Sequence, residues 1–216
     1  MDGDPRSPIP SRIDFLNLDI LGRMRELILA SGSSRRHSLL KQLNLEYRIC
    51  VSNIDESAMV GEAPTEYVCR IARVKALAVY ESLMASQVVL AADTIIALDG
   101  KIIGKPENIQ HAKSILQKLS AAEHEVLTAL CLKTQDHDYE TMVSTKVKFR
   151  QLTNSEIEAY CLTHEPYDKA GAYAIQGLAS SFVEYISGSY TNVMGLPLSD
   201  VCSLLKQASL YNFDDV

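Results

Sequence analysis

A single aspartate interrupts the most apolar stretch of the chain. Nine apolar residues make up the rest of the run Val88–Leu98, which is broken only by Asp93 and Thr94. Such a run predicts a strand buried on both faces, and an ionised carboxylate there is unfavourable unless it is paired or has a function. Asp93 is therefore either a structural group that caps a neighbouring element or a catalytic carboxylate held at a cleft. Because side chains alternate along a strand, Asp93 and Thr94 point to opposite faces.

The turn after the first predicted strand is rich in small hydroxyl residues. Residues 31–34 read Ser-Gly-Ser-Ser, beginning with Ser31 and including Ser33, and Arg35 and Arg36 follow in the first turn of a predicted helix. Small residues let backbone N–H groups approach a ligand, and a helix N-terminus attracts anions. Arginine is disfavoured at that end of a helix unless an anion neutralises it, and guanidinium groups match phosphate oxygens. The segment indicates either a phosphate site or a capped surface helix with solvated arginines.

A lysine lies within the apolar stripe of the long predicted helix Pro64–Ala85. All the residues three and four positions away from Lys75 are apolar, and these are its neighbours on the helix surface. The side chain either extends outward along its aliphatic stem or points across the core into a site. Arg70 and Arg73 lie on another face, where we expect them to be solvated or paired with carboxylates such as Glu66.

Other polar positions carry less information by themselves. Glu56 follows an aspartate in a loop, where acidic pairs are usually solvated. Lys105 follows a predicted hairpin, from which it can reach a phosphate. Residues 168–177 combine charge, including Lys169, with small residues and Gln176, which suggests a loop that closes over a ligand. The five histidines lack a metal-binding spacing such as HExxH.

The elements that must position these residues alternate along the chain. An Asp-Gly pair at 99–100 predicts a type I′ hairpin, and Thr153 with Glu156 predicts a capping box. Hairpins mixed with crossovers indicate an α/β fold with a mixed central sheet flanked by helices. The predicted strands, rich in Val, Ile, Leu and Tyr, are Glu26–Ala30, Leu45–Val51, Val88–Leu98, Glu125–Lys133, Met142–Leu152 and Ser181–Ile186. The predicted helices are Ser34–Leu43, Pro64–Ala85, Asn108–Leu119, Asn154–Leu162 and Leu198–Lys206.

Composition limits the class of protein. The chain has 216 residues, with 21 basic and 27 acidic side chains, so its net charge is −6. That balance argues against a general nucleic-acid binder, and no apolar run is long enough to span a bilayer. The five cysteines are scattered without a CxxC pair, which is typical of a reducing cytoplasm and argues against disulfides or zinc. We expect residues 1–23 to be an N-terminal extension, with Met24 as an alternative start, and residues 24–216 to form a single domain.

Taken together, these segments resemble the Maf family of nucleotide pyrophosphatases. The resemblance runs from about Glu26 to Lys206, and the motifs follow the order of the family. They are SGSSRR at 31–36, DE at 55–56, ARVKA at 72–76, ADT at 92–94, GKP at 104–106, DKAGAY at 168–173, IQG at 175–177 and NVMGLP at 192–197. One such motif alone would be weak, but the ordered set is specific. Two positions depart from the family pattern: Ser34 replaces a proline, and Ala174 replaces a glycine. We expect Ser34 to act as a helix cap in place of that proline, and Ala174 to be unstrained if its φ is negative.

The resemblance implies a fold similar to that of the inosine-triphosphate pyrophosphatases, a mixed sheet with a deep cleft between two lobes. It also implies hydrolysis of a nucleoside triphosphate to the monophosphate and pyrophosphate with a divalent metal, Mg²⁺ or Mn²⁺. Asp93 matches the proton acceptor of the family, and Arg35, Thr94 and Gln176 match its specificity positions. Gln176 matches the subfamily that acts on dTTP, UTP and modified pyrimidine nucleotides. A 7-methyl-GTP-preferring Maf enzyme and a non-catalytic nucleotide-binding septation regulator remain the alternatives.

The resulting hypothesis places a metal-assisted hydrolytic site in an acidic, cytoplasmic protein. Its partner is a nucleoside triphosphate, not a nucleic acid or a membrane, and a homodimer is compatible with the sequence. Glu56, Asp93 and Lys75 are the expected catalytic residues, and Glu56 and Asp93 are also the expected metal ligands. The expected substrate-binding residues are Ser31, Ser33, Arg35, Arg36, Thr94, Lys105, Lys169 and Gln176.

Overall fold

One seven-stranded sheet organises the chain, which we describe from a computed structural model covering residues 26–83 and 87–211. The predicted N-terminal extension, residues 1–23, and the alternative start at Met24 lie outside these residues. The strands are β1 (Glu26–Leu29), β2 (Tyr47–Ile49), β3 (Gln87–Leu98), β4 (Lys101–Ile103), β5 (Glu123–Lys133), β6 (Asp138–Phe149) and β7 (Val183–Ser187). The helices are α1 (Ser34–Lys41), α2 (Pro64–Glu81), α3 (Ile109–Leu119), α4 (Asn154–Cys161), α5 (Tyr190–Val193) and α6 (Leu198–Gln207), and Ala170–Ala172 and Leu178–Phe182 form short 3-10 helices.

The sheet is mixed, as the sequence predicts. Its strand order is β2-β1-β3-β5-β6-β7, with β4 paired to β3 beside this path. β1 is parallel to both β2 and β3, whereas β3–β4, β3–β5, β5–β6 and β6–β7 are antiparallel. The parallel strands β1 and β2 are joined through α1, the antiparallel pairs β3–β4 and β5–β6 by short turns, and the antiparallel pair β6–β7 through α4 and the 3-10 helices. This mixture of crossovers and hairpins confirms the predicted α/β class.

One edge of β3 is left unpaired near its middle. β1 pairs with β3 only up to Leu90, and β4 pairs with it only from Ile96 onward. On the other edge, β5 accompanies β3 without interruption from Val89 to Ala97. Residues 91–95 therefore present one free backbone edge inside the sheet, which we call the β3 gap. Asp93 and Thr94 both lie in it.

The buried apolar residues form two clusters, one on each face of the sheet. On β3, Val89, Ala91 and Ile95 pack with α2, and Leu90, Ala92 and Ile96 belong to the larger cluster on the opposite face. This alternation follows from the period of two along a strand, and it explains why β3 is apolar on both faces. The sheet separates the two clusters, and the expected two lobes stay a prediction.

Two local sequence patterns, one for a hairpin turn and one for a helix start, predict the observed structure. Asp99 and Gly100 have φ values of 49° and 71°, as a type I′ hairpin requires at both central positions. In the capping box before α4, Glu156 N donates to Thr153 Oγ1 at 3.2 Å and Thr153 N donates to Glu156 Oε2 at 2.8 Å. Both predictions are confirmed.

Other predicted boundaries are shifted. β6 begins at Asp138, four residues earlier than predicted, because its polar first residues pair with the apolar end of β5. The predicted last strand starts late because residues 178–182 coil into a 3-10 helix. Ser33, not Ser34, is the N-cap of α1, and its hydroxyl accepts from Arg36 N at 3.4 Å. The expectation that Ser34 acts as the cap is therefore wrong, and Ser34 takes the first helical position.

Candidate active site

All eleven residues predicted to form the site line one cavity of about 420 Å³ at the β3 gap. Five basic and three acidic side chains line this cavity, so it carries two net positive charges in a chain whose overall charge is −6. The cavity is therefore suited to an anion, although the protein as a whole is acidic. The basic side chains are Arg35, Arg36, Lys75, Lys105 and Lys169, and the acidic ones are Glu56, Asp93 and Asp168.

A lysine between two carboxylates forms one wall of the cavity. Lys75 Nζ donates to Asp93 Oδ1 at 2.8 Å and pairs with Glu56 Oε1 at 2.9 Å. The side chains of Lys75 and Asp93 are only 10% and 8% exposed, so their charges compensate each other away from bulk water. Lys75 thus points into the site and does not extend outward along its stem. We call these three residues the Glu56–Lys75–Asp93 cluster.

The loop that carries Glu56 is tied to α2. Tyr67 donates its hydroxyl to Glu56 O at 2.8 Å, and Arg70 donates to Ser57 O at 3.1 Å. Burial, together with the charges of Asp93 and Glu56, raises the pKa of Tyr67 to about 12, so its hydroxyl remains a neutral donor at physiological pH. These bonds fix a loop that would otherwise be free to move away from the cavity.

The two arginines of α2 pair with carboxylates, but not with the predicted one. Arg70 pairs with Glu62, and Arg73 pairs with Glu140 on β6 through two bonds of 2.6 Å. Glu66 instead accepts a hydrogen bond from Ala63 N at the start of the helix. The interpretation of Arg70 and Arg73 as paired is confirmed, and Glu66 as the partner is wrong.

Arg36 bridges the β3 gap. Its guanidinium donates to Ala92 O at 2.9 Å, to Gly195 O at 2.8 Å and to Thr94 Oγ1 at 2.9 Å. A further bond reaches Ser31 Oγ at 3.4 Å. Burial lowers the pKa of the Arg36 guanidinium, and the charge of Asp93 opposes that change. Arg36 therefore connects the turn before α1, the free edge of β3 and the segment after α5.

Thr94 belongs to the same network. Its hydroxyl is 3.0 Å from Thr128 Oγ1 and 3.4 Å from Gly195 O, besides its bond from Arg36. Thr128 in turn donates to Asn192 O. The Thr94 side chain therefore lies against the cavity with its hydroxyl already committed to protein partners.

Arg35 is the arginine that faces the open side of the cavity. It is half-buried, and its guanidinium makes a long ion pair of 3.9 Å with Asp168. The adjoining turn is braced by Ser33 N, which donates to Ser31 Oγ at 3.2 Å. The N-terminus of α1 and Arg35 together form a site where a phosphate group can bind.

Two lysines complete the rim. Lys169 Nζ donates to Glu165 O at 3.0 Å and to the carboxylate of Asp168. Burial raises the pKa of Asp168, but the hydrogen bond and charge of Lys169 and the charge of Arg35 outweigh it, so the pKa is lowered. Lys105 is exposed, and the preceding residue, Gly104, accepts a hydrogen bond from Gly171 N at 3.0 Å.

Gln176 lies on the exposed rim of the cavity, at the end of the segment that begins at Asp168. Ala174, two residues before it, is not among the described residues with a positive φ, so this alanine causes no backbone strain there. Gly171 is required for packing as well as for conformation, because a Cβ there would lie 2.2 Å from Ile96 Cδ1. The segment is thus packed closely against β3.

The residues present fit a divalent metal that shares its ligands with a substrate. Glu56 and Asp93 supply carboxylate oxygens, the donor class that Mg²⁺ prefers, and Mg²⁺ usually binds through one or two carboxylates plus phosphates and water. Lys75 bonds one oxygen of each carboxylate. Within residues 26–83 and 87–211, no group of three or more His, Cys, Asp and Glu side chains is placed to hold a metal. The fit is therefore to a shared site and not to a cage made by the protein alone.

Sequence reasoning missed several residues of the site. Asp168 and Tyr173 both line the cavity, and neither is among the residues predicted to form the site. Glu165 accepts three hydrogen bonds from residues 169–179, and no local pattern distinguishes it from other loop glutamates. Thr128 is hidden in a strand, where a threonine is ordinary.

The fold and cavity define a class: an α/β protein whose interrupted sheet opens into a cavity with net positive charge and a lysine between two carboxylates. A sequence model described as Maf-like protein matches residues 26–208. The chain belongs to the Maf family.

Named relatives are similar over most of their length. The dTTP/UTP pyrophosphatase of Acinetobacter baylyi is 45% identical over 184 residues, covering 85% of this chain and 100% of that one. The dTTP/UTP pyrophosphatase of Escherichia coli K12 is 44% identical over 182 residues, covering 84% and 92%.

Solved structures give more distant matches. The Ham1 protein of Staphylococcus aureus has a TM-score of 0.42 at 16% identity, covering 58% of this chain and 72% of that one. A nucleoside-triphosphatase, or dITP/XTP pyrophosphatase, of Mycobacterium abscessus has a TM-score of 0.40 at 14% identity, covering 59% and 75%. No helix of the described part of this chain is both long and apolar enough to cross a membrane.

Proposed function

We propose that this protein is a nucleoside triphosphate pyrophosphatase that hydrolyses dTTP, UTP and related modified pyrimidine nucleotides. The products are the nucleoside monophosphate and pyrophosphate. The observation that carries the proposal is the Glu56–Lys75–Asp93 cluster, which lies in a cavity with net positive charge. The identity of about 45% to relatives that carry this name supports the substrate class.

The triphosphate binds along the basic side of the cavity. The N-terminus of α1 and Arg35 take one phosphate group, and Lys105 and Lys169 reach the others from the rim. Arg36 supports this arrangement from behind, since its donors are engaged by Ala92, Thr94 and Gly195. The lysine and arginine charges then stabilise the negative charge that develops on the departing pyrophosphate.

Asp93 acts as the general base. An attacking water transfers a proton to the Asp93 carboxylate while its oxygen bonds to the α-phosphorus. The bond between that phosphorus and the oxygen bridging to the β-phosphate breaks, and pyrophosphate leaves. Lys75 orients the carboxylate for this step through its hydrogen bond to Oδ1. Glu56 and Asp93 would hold the Mg²⁺ or Mn²⁺, which supplies further charge neutralisation at the phosphates when bound.

Gln176 recognises the base. A primary amide offers both a donor and an acceptor, which match the edge of a uracil or thymine ring. Thr94 contributes through its position at the cavity wall, because its hydroxyl is already bonded to protein groups. We place the enzyme in the cytoplasm, where its five cysteines, all of them free, remain thiols.

A pyrophosphate-release assay tests the proposal. Full-length protein is incubated with dTTP, UTP, 5-methyl-UTP, CTP or 7-methyl-GTP in the presence of Mg²⁺ or Mn²⁺. We expect release from dTTP, UTP and 5-methyl-UTP, and abolition by a chelator. Asp93→Asn is expected to lower turnover about 10³-fold, and an Asp93→Asn variant with full turnover would refute the assigned base. Preference for 7-methyl-GTP indicates the sister subfamily, and nucleotide binding without hydrolysis indicates a sensor.

A further inference from the structure

A half-buried carboxylate supports the backbone that follows Gln176 on the rim of the cavity. Glu165 lies in the loop after α4, and its side chain accepts three hydrogen bonds from two different parts of the chain. Leu178 N donates to Oε2 at 2.9 Å, and Ala179 N donates to Oε1 at 3.2 Å. Tyr160 on α4 donates its hydroxyl to Oε1 at 2.9 Å. The carboxylate therefore fixes the backbone immediately after Gln176 to a helix of the core.

Glu165 approaches this backbone so closely that a Cβ on residue 177 would require the carboxylate to move. A Cβ on Gly177 would lie 2.2 Å from Glu165 Oε2 and 2.3 Å from its carboxyl carbon. Gly177 N also donates to Ala174 O at 3.0 Å. Gln176 is thus bounded by a tight turn on one side and by the carboxylate contact on the other.

Glu165 also contacts the beginning of the same segment. Its backbone carbonyl accepts from Lys169 Nζ at 3.0 Å. Lys169 and Gln176 both line the cavity, near the two ends of this segment. Glu165 therefore contacts both the end of the segment that is proposed to bind phosphate and the end that is proposed to contact the base.

Gln176 depends on its backbone for its position. Its side chain is exposed, and no residue of the described ranges forms a hydrogen bond with its amide. A selector of this kind discriminates between bases only if its backbone is fixed, because a mobile amide can adjust to either donor–acceptor pattern. The Glu165 carboxylate, together with the turn bond from Gly177 N to Ala174 O, fixes this backbone.

From these contacts we infer that Glu165 is a positioning residue that determines base selectivity through the placement of Gln176. The inference rests on the proposed function and deepens it, since it concerns the same site. Glu165 touches neither the phosphates nor the reacting atoms in this arrangement. Its effect falls on the discrimination between nucleotides and on KM, and not on kcat.

The experiment compares Glu165→Gln and Glu165→Ala with the wild-type protein. Gln keeps the shape but replaces one accepting oxygen by a donor, whereas Ala removes all three bonds. The readout is the ratio of kcat/KM for UTP to that for CTP, which differ in the donor–acceptor pattern of the base. We expect the ratio to fall about tenfold in Glu165→Ala and less in Glu165→Gln, through KM. Inhibition by inorganic tripolyphosphate, which has no base, is expected to be unchanged.

Two further variants separate positioning from general damage. Gly177→Ala displaces the carboxylate without removing it and is expected to lower the same ratio. Glu158→Ala removes an exposed carboxylate of α4 that pairs with Lys113, and its ratio is expected to match that of the wild type. Equal losses for UTP and CTP in Glu165→Ala and Glu165→Gln would overturn the inference, as would an unchanged ratio in all variants.

A binding measurement distinguishes this inference from the proposed function. Dissociation constants for UTP and CTP are measured by calorimetry in an Asp93→Asn background, where no turnover is needed. A ratio of these constants that falls with Glu165→Gln supports the positioning role even if the wild-type protein releases no pyrophosphate. Absence of pyrophosphate release from the wild type refutes the proposed function alone, and a ratio that does not respond to Glu165→Gln refutes the positioning role alone.

Discussion

Lys75 and Asp93 form an ion pair between two apolar elements, and each accounts for the presence of the other. The lysine interrupts the apolar face of α2, the aspartate interrupts the apolar run of β3, and their side chains meet with 2.8 Å between Nζ and Oδ1. Each charge would be unfavourable in its own element without the other. Glu56 adds a second carboxylate at 2.9 Å from the same ammonium, so the cluster carries one net negative charge. That charge is available to a proton or a metal ion.

Removing the lysine is expected to destabilise the fold. In Lys75→Met, Asp93 stays buried without its counter-charge, and we expect the free energy of unfolding to fall by about 3 kcal/mol. Urea unfolding with Lys75→Met, Asp93→Asn and the double variant measures the coupling. Because the double variant buries no unpaired charge at this position, it should recover more than half of the loss. Additive effects would contradict the pairing.

Neutralising Glu56 is expected to change the metal requirement more than the stability. Glu56 is half-exposed, so Glu56→Gln leaves the core intact and the Lys75–Asp93 pair in place. We expect the Mg²⁺ concentration that gives half-maximal activity to rise about tenfold, since one of the two carboxylate ligands is lost. Asp55→Asn, at the exposed neighbouring position, is the matched control. A parallel change in both variants would argue against Glu56 as a ligand.

Substitutions of the two adjacent arginines, Arg35 and Arg36, are expected to have different effects. Arg36→Met removes the donors to Ala92 O and Gly195 O, and we expect a loss of about 3 kcal/mol in the free energy of unfolding. Arg35→Met breaks only a long ion pair with Asp168. It should leave the unfolding midpoint nearly unchanged while raising KM for dTTP about tenfold. Equal destabilisation by both substitutions would contradict this division of roles.

A buried histidine is expected to make stability depend on pH. His124 is 1% exposed, with Nε2 at 2.9 Å from the Tyr173 hydroxyl, and burial lowers its pKa from 6.5 to about 4. The unfolded chain therefore binds more protons between these values. Stability is fully present above pH 6.5 and falls as the pH approaches 4, by about 2 kcal/mol between pH 7.5 and pH 5.

Substitution isolates this contribution. Urea unfolding of His124→Gln at pH 7.5 and pH 5 should show about 2 kcal/mol less pH dependence than the wild type. His164→Gln, at an exposed position, should retain the wild-type dependence. If His124→Gln retains it as well, other groups are responsible for the slope.

Asp168 is expected to compete with the substrate. Its carboxylate pairs with Arg35 and Lys169, two cations that a triphosphate would contact. We expect Asp168→Asn to lower KM for dTTP about threefold at low salt and less at high salt, as for other exposed charges. Because its pKa is lowered, the carboxylate stays ionised at pH 6 and pH 8, so the effect should be equal at both. A higher KM in this variant would show that Asp168 supports the site instead.

Much of the fold could be predicted because local chemistry determines it. The apolar run of β3, the Asp-Gly turn at 99–100 and the capping box at Thr153 each follow from a few neighbouring residues. Boundaries were less accurate where pairing partners decide them. The first residues of β6 are polar and become a strand only because β5 lies beside them.

Some residues of the candidate site could likewise be predicted from the sequence, and others could not. All eleven residues predicted to form the site line one cavity. They could be predicted from the ordered set of motifs, whereas the local pattern around each residue was not sufficient. The residue pattern alone could not show that Arg35 faces the cavity while Arg36 bonds to the β3 gap, since neighbours on a helix differ in the direction of their side chains. It could not identify Glu165 either, because its partners at Leu178 and Ala179 are more than ten residues away.

The β3 gap has a consequence for self-association. An unpaired strand edge normally invites another chain to add a strand, and such additions lead to aggregation. Here the unpaired edge is five residues long and lies between β1 and β4. Arg36 already occupies Ala92 O in its middle. The unpaired edge is therefore too short for an added strand, and one of its carbonyl groups is already bonded. The opening admits a small molecule and excludes a foreign polypeptide backbone.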